Sequence, residues 1–152
     1  YMCDLLMDFS PPRQANDNLY RMALACFEAV SQQPSDLEWV LRYFEVWLLK
    51  LEGFLPDVRQ CANCSNAFNG DGPIYLGSDL ALRCLKCSEA RGRSISKIVH
   101  QQIRATEKLS PAKFAEESRE VPAATRKELG QLTYQIISRV LERTPRARPT
   151  FV

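Results

Sequence analysis

Apolar residues recur at helical spacing over most of the first fifty positions. Between positions 19 and 30 they fall three or four residues apart, as on one face of an amphipathic helix. The members of this stripe are Leu19, Tyr20, Ala23, Leu24, Phe27 and Val30. A shorter apolar segment containing Leu5, Leu6 and Phe9 comes before it, and Pro11-Pro12 separates the two. The pattern therefore predicts a short helix followed by a longer one.

A third helix is predicted after Pro34. Ser35 and Glu38 have the spacing of a capping box at its start, and Gly53 followed by Pro56 is typical of a helix end. Its apolar stripe consists of Leu37, Val40, Leu41, Phe44, Leu48 and Leu51, widened by Trp39, Tyr43 and Trp47. This stripe is wider than a single core-facing seam requires, so part of it is expected to be exposed to a partner.

The pattern changes after residue 57. Turn-forming residues occupy positions 69–73, and two short apolar runs at 74–76 and 80–82 flank Gly77-Ser78-Asp79. This arrangement predicts a short β-hairpin, which is marginally stable without further support. Helical spacing returns from position 92, with Ser110-Pro111 and Pro122 as predicted helix starts and Pro145 as the stop.

Four of the six cysteines form two pairs, Cys61-x2-Cys64 and Cys84-x2-Cys87, with 19 residues between them. This spacing is typical of a structural zinc site with four thiolate ligands, in which no position is left for water or substrate. A disulfide within either pair would be strained. Two disulfides in a secreted protein and a thiol redox switch remain as alternatives. Cys3 and Cys26 lie singly among apolar residues and are predicted to be core residues.

The predicted fold class is mainly α. A helical bundle-like domain is expected over residues 1–57 and 92–152, and a zinc-ribbon-like insert with the β-hairpin over residues 58–91. Six cysteines in 152 residues are too few for a disulfide scaffold, and the sequence shows no signal peptide or membrane-spanning stretch. An intracellular location is therefore expected. Because the chain opens with Tyr1 inside an apolar segment, it is expected to be a piece of a longer protein.

Charge is distributed unevenly although the net charge is only +2. Residues 1–82 contain 5 Lys and Arg against 11 Asp and Glu, and residues 83–152 contain 15 against 7. The basic second half favours an anionic partner, either nucleic acid or an acidic peptide tail. Ordinary solvated helix faces are the alternative. The candidate DNA-contacting residues, along and beyond the last helix, are Arg139, Arg143, Arg146 and Arg148.

Signals for catalysis are weak. His100 is the only histidine, and no Ser, Cys or Asp partner is evident beside it in the sequence. The chain has no glycine-rich phosphate loop and no dinucleotide-binding fingerprint. Glu116 and Glu117 are adjacent on a predicted helix and therefore point apart. The sequence predicts a protein that is not an enzyme and takes no small-molecule substrate.

The order of these features resembles a known family. The segment LRYFEVWLLKLEGFLPDVRQCANC, residues 41–64, joins a leucine-rich helix to the first cysteine pair. A hairpin, the second pair, further helices and an arginine-rich end with Phe151 follow. Over essentially its whole length the chain resembles the C-terminal region of the bacterial recombination mediator RecO. In that family an N-terminal OB-fold precedes this region.

The resemblance implies a DNA-repair factor of the bacterial cytoplasm, associated with the nucleoid. RecO proteins bind single- and double-stranded DNA, anneal complementary strands, and act with RecR to load RecA onto strands coated by the single-stranded-DNA-binding protein SSB. The family also implies docking of the acidic SSB tail. The residues expected to receive it are Arg42, Trp39, Phe44, Trp47 and Leu48. Two other hypotheses are a zinc-ribbon interaction module of a transcription or translation factor and a thiol redox sensor.

Overall fold

A computed structural model describes residues 1–10, 16–69 and 72–145. The fold is mainly α with a small antiparallel sheet, as predicted. The helices are α1 (Met2–Phe9), α2 (Asp17–Gln32), α3 (Leu37–Leu51), α4 (Leu85–Ser88), α5 (Lys97–Ala105), α6 (Pro111–Ser118) and α7 (Ala123–Val140). The strands are β1 (Ile74–Leu76), β2 (Leu82–Cys84) and β3 (Arg93–Ile95), and a 3-10 turn spans Pro34–Asp36.

The chain divides into two compact units. The helical unit is drawn from Tyr1–Leu55 and Thr106–Val152, and the four-cysteine unit is Pro56–Ala105. All three strands, α4 and α5 belong to the four-cysteine unit. This compact unit is therefore longer than the cysteine-bearing segment 58–91.

Helix α3 is the central element of the helical unit. It packs against α2, α6 and α7. The side chains it buries point in every direction around its axis: Trp39, Val40, Leu41, Arg42, Tyr43, Phe44, Glu45, Val46, Leu48 and Leu49. Because neighbouring helices cover several sides of α3, its apolar stripe has to be wider than that of a helix lying on the surface.

The two ends of α3 form in different ways. Gly53 has a φ of +78°, and the N–H of Phe54 donates to the carbonyl of Leu49 at 2.7 Å, which closes the last turn as the sequence predicted. The predicted capping box is not formed at the start. Asp36 is the N-cap residue, but both of its carboxylate oxygens accept hydrogen bonds from Arg119, at 3.0 and 2.8 Å. A bidentate ion pair thus replaces the local cap.

The sheet has the strand order β2-β1-β3, with both pairings antiparallel. The predicted second strand at 80–82 is wrong, because the strand begins at Leu82. The Gly77–Ala81 loop is closed by the Gly77 N–H donating to the Ala81 carbonyl at 3.0 Å, and Leu80 has a φ of +62°. The sequence reading also missed β3. The four side chains that the strands bury are Ile74, Leu76, Leu82 and Ile95.

Candidate metal centre

The first cysteine pair lies in a tight turn. An isolated β-bridge between Gln60 and Ala67 holds the two sides of the turn together. The Cys61 N–H donates to the Asn66 carbonyl, and the Ser65 N–H donates to the Cys61 carbonyl, both at 2.9 Å. Ser65 adopts a φ of +56°. This turn brings both sulfurs of the pair to one side of the backbone.

The second pair is positioned by a strand that runs directly into a helix. Cys84 is the last residue of β2 and the N-cap residue of α4. Cys87 lies three residues later in the same helical turn, so the two thiols lie on the same face. The N–H of Ala62 donates to the Leu82 carbonyl at 2.9 Å, which fixes the first turn against β2. The two pairs therefore face each other.

The four sulfur atoms of Cys61, Cys64, Cys84 and Cys87 all lie within 4.8 Å of one another. The Sγ atoms of Cys64 and Cys84 are 3.8 Å apart. A tetrahedral ion with metal–sulfur distances of about 2.3 Å separates its sulfurs by about 3.8 Å, whereas a disulfide requires about 2.05 Å. All four cysteines are free thiols. The cluster has the size and the donor set to hold one metal ion.

Backbone hydrogen bonds favour the thiolate form at Cys61. Burial raises the pKa of this thiol, which is only 1% exposed, but N–H groups of Cys84, Cys64 and Asn63 outweigh that effect. The result is a pKa lowered to about 6. The hydrogen bond from Cys87 to Cys64, together with burial, raises the pKa of Cys87 to about 12. One thiolate is thus prepared by the fold, and a bound cation would have to displace the other protons.

Arg83 links the two halves of the cluster, and the sequence reading missed it. Its Nε donates to Asn63 Oδ1 at 3.0 Å, inside the first turn, and its Nη1 donates to Asp79 Oδ1 at 2.8 Å, in the hairpin loop. A Cβ at Gly77 would lie 2.4 Å from Arg83 Nη1, so a larger residue there would displace the Arg83 side chain. The sequence indicates this contact only through its spacing: Arg83 directly precedes Cys84, and Asp79 lies four residues before Arg83.

Comparison with known proteins identifies the family. The family model described as "Recombination protein O C terminal" matches residues 1–149. The chain belongs to the RecO C-terminal family. Among curated relatives, a DNA repair protein RecO of Dehalococcoides mccartyi strain BAV1 is 33% identical over 87 residues, covering 57% of this chain and 34% of the relative. No solved structure gives a significant match.

Two further RecO relatives show the same partial coverage. DNA repair protein RecO of Koribacter versatilis is 34% identical over 65 residues, which are 42% of this chain and 25% of the relative. The RecO of Clostridium perfringens strain 13 is 27% identical over 150 residues, 97% of this chain and 58% of the relative. The chain thus spans between about a quarter and three fifths of the length of these relatives.

Four of the five tail-docking residues inferred from the RecO resemblance lie in the core of the helical unit, and the fifth, Trp47, is half-buried. Arg42 is 2% exposed, and its Nη1 lies 3.1 Å from Glu45 Oε2 in a buried ion pair. Trp39, Phe44 and Leu48 are also buried. The prediction that these side chains form an exposed docking surface is therefore wrong for the described structure.

Helix α6 and the segment before it cover the aromatic side of α3. Phe114 packs edge-on against Trp39, with ring centroids 6.0 Å apart. The Tyr43 hydroxyl donates to the Leu109 carbonyl at 3.0 Å, and Trp47 Nε1 donates to the Thr106 carbonyl at 2.9 Å. The extra aromatic residues of α3 are accounted for by these intramolecular partners, so no external peptide is needed to explain them.

The four candidate DNA-contacting arginines do not form one described surface. Arg139 is exposed near the end of α7. Arg143 forms an ion pair with Asp8 of α1 at 2.5 Å, so its charge is already partnered. Arg146 and Arg148 lie outside the described residues.

His100 has a packing role within the four-cysteine unit. Its side chain is buried, its Nε2 lies 2.6 Å from the Val58 carbonyl oxygen, and its ring meets Phe68 edge-on at 6.0 Å. These contacts tie α5 to the segment just before the first cysteine pair.

None of the described helices is long and apolar enough to cross a membrane.

Proposed function

We propose that this chain is the C-terminal part of a RecO-type DNA repair and recombination mediator and that it acts by binding, with no catalytic role. The observation that carries the proposal is the family match over residues 1–149. The proposed activity of the whole protein is to bind single- and double-stranded DNA, to anneal complementary strands and, with RecR, to load RecA onto SSB-coated DNA. Its proposed location is the bacterial cytoplasm, at the nucleoid.

The metal proposed for the cluster is Zn²⁺ in a structural role. Support comes from four thiol ligands, the 3.8 Å separation of Cys64 and Cys84, and the backbone N–H groups around Cys61. A bound Zn²⁺ would supply the cross-link between the two turns. The strands of the unit supply few backbone hydrogen bonds, because each strand is only three residues long. Four cysteine ligands leave no open position for a substrate.

The proposal of a binding role is supported by the placement of the one histidine. His100 is enclosed and hydrogen-bonded to a backbone carbonyl, whereas a general base has to reach a substrate proton. RecR and the SSB tail are proposed partners on family grounds. The burial of Arg42 and its neighbours removes the surface first considered for SSB, so no residues are assigned to that contact.

A zinc-ribbon interaction module of a transcription or translation factor is the second candidate. The observation in its favour is the arrangement of two cysteine turns around a three-stranded sheet. Such a module requires neither strand annealing nor RecR. The two candidates therefore differ in what the purified chain should do to complementary DNA strands.

The test uses the 152-residue chain, purified with zinc. Binding to fluorescently labelled single-stranded and duplex oligonucleotides is measured by anisotropy, annealing of SSB-coated complementary strands by energy transfer, and RecR association by pull-down. The expected result is DNA binding together with faster annealing or RecR capture. A folded, zinc-loaded chain that binds neither DNA nor RecR would contradict the RecO assignment of function.

A further inference from the structure

Positive charge is concentrated in the sequence that surrounds the metal cluster. Residues 83–105 contain six lysines and arginines against the single acidic residue Glu89, a net of +5. The longer segment 106–152 contains nine against six, a net of only +3. Most of the positive surplus of the second half of the chain therefore belongs to the four-cysteine unit.

Many cations of the helical unit are already neutralised by acidic neighbours. Among the described residues, the ion pairs that involve its second segment include Lys50–Glu107, Lys113–Glu116, Arg119–Asp36, Arg126–Glu38 and Arg143–Asp8. Such pairs cancel the local field, so these side chains contribute little attraction for an anionic partner. The strength of a phosphate-binding surface depends on cations that have no such neighbour.

Helix α5 presents cations of that kind. Lys97, Gln101 and Arg104 follow one another at positions i, i+4 and i+7, so they share one face, and all three are exposed. This set is termed the α5 face. The side chains of Lys97 and Arg104 form neither a hydrogen bond nor an ion pair with any described residue. No acidic residue occurs anywhere in α5.

The opposite side of α5 is fixed within its own unit. Val99 and Ile103 are buried there, and His100 is held by the Val58 carbonyl and by Phe68. A helix anchored in this way presents its exposed side chains from a fixed backbone. Binding therefore costs less conformational entropy than it would for cations on a flexible loop.

We propose that the α5 face binds the sugar–phosphate backbone of DNA without reading its sequence. This inference rests on the proposed function and assigns a surface to it. Lys and Arg supply the charge, and an amide such as that of Gln101 is a common donor to phosphate oxygens. Lys97 and Arg104 are separated by about 10 Å along the helix axis, far enough to contact different phosphates of one strand.

Nucleic acid fits the face better than an acidic peptide does. A docked peptide segment needs an apolar pocket for its anchor side chains. The large apolar side chain exposed on α5 is Ile98, at 43%, and it projects from a convex helix surface. Phosphate groups require only positive charge and hydrogen-bond donors, which are what the α5 face offers.

The test compares two charge-matched variants of the zinc-loaded chain. One is Lys97→Gln with Arg104→Gln. The control is Arg21→Gln with Lys127→Gln, which removes two exposed cations of the helical unit that likewise have no described partner. Binding of a labelled single-stranded oligonucleotide is measured by anisotropy over a salt series. Thermal unfolding and zinc content serve as folding checks for both.

The α5 variant is expected to bind at least about tenfold more weakly at low salt and to lower the slope of log K against log salt by about 1.4, the value for two lost phosphate contacts on a single strand. The control variant should keep most of the wild-type slope. Equal losses in both variants would overturn the proposal, because net charge alone would then explain binding.

The remaining outcomes separate this inference from the proposed function. If both variants bind like the wild type, the α5 face is not the surface, and DNA binding by the chain stands. If the wild type binds no DNA, the α5 proposal is overturned, and the proposed function fails with it only if the chain does not capture RecR either. If a labelled oligoglutamate peptide binds through Lys97 and Arg104 while DNA does not, the partner is an acidic protein and the proposal is overturned.

Discussion

Arg42 and Glu45 of α3 form a buried ion pair on the side that faces α7, and Gly130 of α7 leaves room for it. The Thr133 hydroxyl donates to Glu45 Oε2 at 2.6 Å. Burial raises the pKa of Glu45, while Arg42 and Thr133 act in the opposite direction. A Cβ placed on Gly130 would lie 1.8 Å from Arg42 Nη1. Removal of one partner from such a pair leaves an uncompensated buried charge. A neighbouring group that pushes Arg42 away from Glu45 is therefore expected to be destabilising as well.

Gly130→Ala is therefore expected to destabilise the helical unit by about 1–3 kcal/mol, because it overpacks the site. This prediction runs against intrinsic helix propensity, which favours Ala over Gly by about 1 kcal/mol. Urea unfolding followed by circular dichroism measures the change. In an Arg42→Met, Glu45→Met background the cost should shrink, since the guanidinium is gone. A Gly130→Ala chain as stable as the wild type would show that Arg42 can move aside freely.

Arg83 is expected to control how firmly the cluster holds its metal. Arg83→Gln removes the contacts to Asn63 and Asp79 and withdraws a positive charge from beside four thiolates. Loss of a residue that orients metal ligands typically costs about 10–100-fold in affinity. Zinc transfer to a chromogenic chelator provides the measurement. Arg91→Gln is the matched control, because the Arg91 side chain is 84% exposed and pairs with its neighbour Glu89. Equal transfer rates from both variants would rule out a special role for Arg83.

At the scale of elements, the sequence predicted where α3 ends but not what surrounds it. Gly53 and Pro56 are local signals, and a local signal is sufficient to stop a helix. The wide stripe of Trp39, Tyr43 and Trp47 showed that more than one face was apolar. Hydrophobic periodicity does not distinguish an apolar face that α6 covers from one that a partner would cover, because both require the same apolar residues in the sequence.

The strands show the same difference between local and distant information. The turn residues and apolar runs predicted a hairpin correctly, yet the second strand begins at Leu82 and not at Leu80, after a loop in which Asp79 pairs with Arg83. Strand β3 is only Arg93–Ile95 and contains one buried apolar residue, so it carries almost no alternating pattern. Its position is determined by pairing with β1, which lies too far away in the sequence for a local periodic pattern to reveal the pairing.

The packing of α6 on α3 gives a further prediction. Phe114 is completely buried and contacts both Trp39 and Tyr43. Phe114→Ala should lower the free energy of unfolding by about 3–5 kcal/mol, the usual cost of a cavity of this size. Phe27→Ala on α2, where the ring is 39% exposed, should cost about 1 kcal/mol or less. Denaturant unfolding of both variants checks this, and similar small losses would mean that α6 is only loosely attached.

For the whole molecule, the two compact units predict two separable responses to metal loss. The expected stoichiometry is one zinc per chain, with affinity falling as the pH is lowered because the thiols regain protons. On chelation or in Cys61→Ser, hydrogen exchange should become fast in residues 56–105 and stay slow in α3 and α7. Exchange measured by mass spectrometry resolves the two units. Fast exchange throughout the chain would show that the helical unit depends on the metal as well.

The sequence alone predicted the four-cysteine cluster, because the paired spacing is a local pattern that can be recognised without knowing the fold. It did not supply Arg83, whose partners lie in two other turns, or the distinction between paired and unpaired cations. Arg143 and Lys97 are equally basic in sequence, and only the structure shows that Asp8 neutralises the first. The family assignment, by contrast, rests on the order of elements along the chain, which the sequence contains in full.

The shortness of the three strands has a consequence for solubility. Both edge strands of the sheet, β2 and β3, are only three residues long, and the Ala62 N–H already occupies the Leu82 carbonyl of β2. Such edges are too short to template the growth of an intermolecular sheet. That protection belongs to the folded unit alone. Once the unit opens, Ile74, Leu76, Leu82 and Ile95 become accessible within a stretch of β-forming sequence. A metal bound at the cysteine cluster would therefore also oppose aggregation, because it would keep these apolar side chains buried.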